Sequence, residues 1–192
     1  MSPDISEEDA TELIENRVKF KLYAAEQHLK NLKKLEQDGS SMQSFKERVC
    51  WEMEIEPFLF HIVGVRDSLF VNINNKFELK LEGRDIDFRN IKIMLNYLNE
   101  QNLLADIKNF DNSFVELKKF RNQSTHHSLI NILFSHSLHE NVNTGTGTSD
   151  KPKVSIIGGT NKNLELIPFL ENGLQKVKGS VEDLIKKEPR LG

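Results

Sequence analysis

The chain has 192 residues, of which 38% are hydrophobic and 29% charged, and its 26 Lys plus Arg against 29 Asp plus Glu give a formal net charge of -3. A chain of that length can bury a core as one domain, and that charge excludes a protein that coats nucleic acid by bulk attraction, while leaving room for a local basic patch that holds a phosphate. The single Cys50 excludes an internal disulfide and any structural zinc site built from cysteines, and it suits a reducing cytosol.

The acidic start, MSPDISEEDATELIEN, lacks the basic and apolar regions of a secretion signal. The longest apolar run, PFLFHIVGV, falls well short of the ~20 residues a membrane-spanning helix needs. A cytoplasmic protein without membrane contact is the expectation.

Ser6 and Asp9 are placed to cap a first long helix over about 6–38, with Ile14, Val18, Leu22, Ala25, Leu29 and Leu32 spaced by three and four along one face. Lys30, Lys33 and Lys34 suit its C-terminal end, and Gly39 stops it. A second helix over about 42–74 carries Phe45, Val49 and Met53 on an early face and Leu59, Ile62, Arg66, Leu69 and Ile73 on a later one. Pro57 falls between the two faces and should kink or restart that helix. Glu52, Glu54 and Glu56 read as a solvated face, and FELKL (77–81) as a short extended piece.

A third helix over about 86–101, capped by Asp85 or Asp87, buries Phe88, Ile91, Leu95 and Leu98. NEQN interrupts it, and a fourth helix over about 111–136 follows. HENVNTGTGTSDKPK is small and polar and reads as an exposed loop. Its TGTG lacks the Lys-Ser/Thr ending of a phosphate-binding loop. VSIIGG is strand-like, and the alternation in ILFSHSLHE allows a hairpin near 135–158 within a loop or β insertion over about 137–162. A last helix over about 164–188 carries Leu166, Phe169, Leu170, Leu174, Val177, Val181, Leu184 and Ile185 on its face, with Pro168 in the first turn. The expected fold is all-α: an antiparallel up-and-down bundle of four to five long helices in one domain over 1–192, with a small late β insertion.

One run stands apart. Phe120 to Leu129 reads FRNQSTHHSL. Carrying the stripe from Phe114 and Leu117 onward by three or four puts Arg121 on the core-facing side, where a guanidinium must be paired or open onto a wet groove. Asn122 and His126 share one side at a spacing of four. In the plainer reading Arg121 pairs with an acid such as Glu54 or Asp67, and the chain is a non-catalytic helical nucleotide-binding or protein-interaction domain. In the other, Arg121 holds a phosphate through its fork, His126 moves a proton near neutral pH, and Asn122 orients them. That set, without a carboxylate cluster, suits metal-independent cleavage of RNA by its own 2′-OH.

The spacing Arg121-Asn122-Gln123-Ser124-Thr125-His126 resembles the R-N-x-x-x-H signature of the HEPN superfamily of helical domains. The resemblance implies a four-helix core that dimerises with itself, so that motifs of two subunits face each other across a groove. Many such proteins are metal-independent endoribonucleases of toxin–antitoxin or phage-defence systems, with a cognate antitoxin or another protein as partner; others bind nucleotides or are non-catalytic. By that carry-over Arg121 binds the scissile phosphate, His126 is the acid or base, and Asn122 positions them. Many relatives have a Tyr two positions after the His, where this chain has Ser128. Lys118 and Lys119 lie one turn earlier and are candidates for steering an RNA backbone, with His127 as a neighbouring proton donor. His136 and His139 have no carboxylate at metal-ligand spacing except Glu140, so neither a metal nor any other cofactor is expected.

Overall fold

The computed structural model describes the backbone of residues 5–39, 44–126, 131–135, 138–139, 148–149, 153–158 and 162–191, and the side chains of 5–39, 44–122 and 165–191. The fold is built on helices: α1 (Glu7–Glu15), α2 (Arg17–Gln37), α3 (Phe45–Lys76), α4 (Phe88–Tyr97), α5 (Gln101–Asn112), α6 (Val115–His126) and α7 (Leu166–Lys187).

The first expected helix is two. Ser6 Oγ accepts from the Asp9 amide and caps α1, but Asn16 Oδ1 accepts from the amides of Val18 and Lys19 and starts α2 afresh. An Asn side chain competes for backbone amides in this way and suits a cap better than a helix interior. The break turns Ile14 outward, 76% exposed, while Val18, Ala25, Leu29 and Leu32 stay buried.

Helix α3 is the longest element, 32 residues behind a capping box of Ser44 and Glu47. It runs through Pro57 without ending. Ile55, Phe58 and Leu59 are buried on both sides of the proline, and that packing outweighs the lost backbone hydrogen bond. The early face differs from expectation: Phe45, Val49 and Met53 are exposed, and Trp51, Ile55 and Phe58 point inward instead. Leu59, Ile62, Leu69 and Ile73 are buried as their spacing implied. Phe77–Leu81 is a turn rather than a strand. Its Leu81 amide donates to Asn74 Oδ1 at 3.0 Å, and Asn74 Nδ2 donates back to the Leu81 carbonyl at 3.2 Å.

Asp87 caps α4, accepting from the Asn90 amide. Asn99, at a φ of 59°, turns the chain into α5, an element absent from the expected set, whose Leu103, Leu104, Ile107 and Phe110 are all buried. The expected fourth helix over 111–136 is shorter. Its described part ends at His126, and Asn131–Ser135 is a strand, β1, where a helix to Phe134 was expected. The other strands are β2 (Leu138–His139), β3 (Thr148–Ser149), β4 (Lys153–Gly158) and β5 (Lys162–Glu165); β4 pairs antiparallel with β1 and β5, and β2 with β3.

One core joins helices α2 to α7. α3 packs on α2, α4 and α6, and α7 packs on α2 and α5. α2 and α3 are antiparallel, since residue 20 meets 61 and residue 28 meets 54. On α7, Gly173 closes against α6: a Cβ there would lie 2.9 Å from Leu117 Cδ2, whereas one at Gly179 meets nothing within 4 Å. Gly179→Ala should therefore gain most of the ~0.5–1 kcal/mol that Ala brings to a helix interior. Gly173→Ala should gain less than Gly179→Ala or lose stability, because Leu117 must move. Urea denaturation of the two variants checks the order.

Candidate functional site

Helix α6 is held by its inner face. Phe114, Leu117 and Phe120 are buried, and the Phe120 ring lies 4.6 Å, centroid to centroid, from Phe169 of α7. The core stripe thus advances by three and three, to Phe120 rather than Arg121. Arg121 is half-buried at the edge of that stripe and Asn122 is exposed. Two positions of the motif therefore lie on the flank and outer side of a helix whose opposite side is anchored. His126 is the last described residue of α6, one turn beyond Asn122 in the helical register. Its side chain, and His127 altogether, lie outside the described residues, as do the side chains of His136 and His139.

The charge of Arg121 reaches α2. The Lys21 ammonium is held below its usual pKa by its burial first, then by Arg17 and Arg121, with Asp67 acting the other way. The two acids considered as partners for Arg121 have contacts of their own. Glu54 Oε2 lies 2.7 Å from His28 Nδ1 and accepts from Asn31 at 3.1 Å, so it is not simply a solvated acid. Asp67 accepts from Arg66 at 3.3 Å.

The two lysines before the motif differ. Lys118 is half-buried and donates to Asp111 at 2.9 Å; Lys119 is exposed and donates to Glu116 at the same distance. Arg66 of α3 also pairs with Asp111 and lies 4.6 Å from the Phe70 ring centroid. This Arg66–Asp111–Lys118 knot ties α3 to the junction of α5 and α6, directly before the motif helix.

A second group of side chains is not evident from the sequence pattern. Phe20, Lys21 and His28 of α2 meet Glu54, Phe60 and His61 of α3, and Arg17 stands over the Phe20 ring on its own helix. The spacing of four between Arg17 and Lys21 was visible in the sequence, but the partner positions on α3 come from the antiparallel register. Among the described residues no three His, Cys, Asp or Glu side chains gather as a metal ion would require, and no helix is long and apolar enough to cross a membrane.

No protein-family model, curated protein or solved structure matches this chain. Its functional reading rests on its own residues.

Burial opposes ionisation of Asp111, but hydrogen bonds from Lys118 and Arg66 outweigh it and hold the carboxyl below its usual range. A carboxyl whose pKa is depressed on folding stabilises the native state fully above its unfolded-state pKa, and that contribution is lost as pH falls through the folded value. Asp111→Asn should therefore cost about 1–3 kcal/mol at neutral pH. The gap to wild type should close as the solution is acidified below about pH 4. Denaturant midpoints measured across that range check the sign.

Proposed function

We propose that the chain is an HEPN-like, RNA-binding helical domain that cleaves RNA without a metal, and that it works as a homodimer with its helices in an antiparallel up-and-down bundle. The observation that carries the reading is the Arg121-Asn122-x-x-x-His126 register on α6, with Arg121 and Asn122 off the buried face of a helix anchored by Phe114, Leu117 and Phe120. In this reading Arg121 binds the scissile phosphate. His126 takes the 2′-OH proton or protonates the leaving 5′-oxygen, and Asn122 orients the two. The attacking 2′-oxygen forms a 2′,3′-cyclic phosphate as the P–O5′ bond breaks.

A second subunit supplies the facing motif, and a toxin–antitoxin or phage-defence setting with a protein antitoxin suits such an activity. Of the two lysines, the exposed Lys119, paired with Glu116, is the one that steers an RNA backbone in this reading. Lys118 supports the site from behind through Asp111.

Purified protein should cleave single-stranded RNA in EDTA and leave 2′,3′-cyclic phosphate ends. His126→Ala should lower the rate by ~100-fold or more while its circular dichroism stays native. Absence of cleavage across varied RNAs, or equal cleavage by the variant, would shift the assignment to a non-catalytic nucleotide-binding or interaction domain.

A further inference from the structure

The group on α2 and α3 gathers positive charge with little to balance it. Arg17 lies 4.8 Å from the Phe20 ring centroid, and Lys21 Nζ lies 4.7 Å from that of Phe60. Lys21 is laid across Gly64, where a Cβ would come within 2.6 Å of Nζ, so the path of this lysine depends on the missing side chain. His61 stands edge-on to Phe20 and Phe60, at 6.0 and 5.3 Å, and stacks on His28 at 5.7 Å.

The acids at the group pair with side chains other than Arg17 and Lys21. Glu54 meets His28 and Asn31, and Asp67, which acts on Lys21, accepts from Arg66. Among the described residues neither Arg17 nor Lys21 forms an ion pair with a carboxylate. Arg121 adds its charge from α6. The Nδ1 of His61 is buried and has no hydrogen-bond partner among the described residues. Like charges repel, the more so where Lys21 is half-buried, and a buried polar nitrogen without a partner is costly. One anion would relieve the repulsion.

The geometry points to a phosphate-binding site formed by Arg17, Lys21 and His61, with Phe60 as the surface on which an attached nucleobase stacks. The guanidinium offers a fork and the ammonium a point charge, the usual pair for a phosphate. Phe60 is 53% exposed, so its ring remains open to a base beyond its contact with Lys21. Burial, followed by the charges of Lys21, His28 and Arg17, holds His61 below its usual pKa, which favours the neutral ring at pH 7. A bound phosphate offsets those charges and raises that pKa. The site stands on α2 and α3 and does not depend on cleavage at α6. The phosphate belongs either to a free nucleotide or to an RNA strand.

The test is an NMR titration of the His61 ring protons in the full-length chain, run with inorganic phosphate, with adenosine 5′-monophosphate and with a short 2′-O-methyl RNA that cannot be cleaved. Binding should raise the His61 pKa. Arg17→Gln, at an exposed position, should weaken binding about tenfold, and Lys21→Met, which keeps the aliphatic stem, should weaken it at least as much. Tighter binding of the RNA, falling steeply with salt, identifies a strand; tighter binding of the monophosphate identifies a nucleotide. Both support the site. A His61 pKa that none of the three ligands moves, or variants that bind as wild type does, would overturn it.

Discussion

Helix α3 must bury apolar side chains over most of its 32 residues, and the other helices are arranged by that demand. Trp51, Ile55, Phe58, Leu59, Ile62, Leu69, Phe70 and Ile73 are each no more than 1% exposed, far more surface than one partner helix could cover. α2 covers one side and α6 and α4 cover others. The same demand carries the helix through Pro57. Burial of large side chains is worth about 1.5–3 kcal/mol each, so a few of them balance the ~3 kcal/mol a helix-interior proline costs.

This arrangement gives α6 two unlike sides. Its inward residues, Phe114, Leu117 and Phe120, meet the core and α7, and the Asp111 knot fixes its start. Arg121 and Asn122 are left at the flank and surface. The phosphate-binding role proposed for Arg121 needs such a position: held by a rigid helix at the edge of the core. The α2–α3 seam follows a similar rule. Its antiparallel register brings Lys21 over Gly64 and stacks His28 on His61, so two helices that pack for stability also gather cations whose charge is felt together with that of Arg121.

Much of this was legible in the sequence, and the misses have local causes. The α7 face and the Ser6 and Asp87 caps follow from spacing and residue type. At Phe114 and Leu117, continuing by three reaches Phe120 and continuing by four reaches Arg121. A period of 3.6 permits both, and the larger apolar side chain took the core. Asn16 lies in a run with unbroken periodicity, where only the backbone decides between continuing and capping. α5 was overlooked although Leu103, Leu104, Ile107 and Phe110 are spaced for it, because NEQN read as the end of a helix rather than a turn between two. The α2–α3 cluster could not be read locally, since His28 and Glu54 are brought together by a register set over a sequence separation of 26.

The division of α6 into an inner and an outer side is tested most sharply at two adjacent residues. Phe120→Ala and Arg121→Ala are measured side by side for unfolding free energy and for affinity toward uncleavable single-stranded RNA. Phe120→Ala should lose about 3–5 kcal/mol of stability. Arg121→Ala should lose under about 1 kcal/mol and yet bind RNA at least tenfold more weakly. An Arg121→Ala protein that unfolds as readily as Phe120→Ala, or that keeps full RNA affinity, would contradict a ligand-binding role and make Arg121 a structural residue of the helix packing.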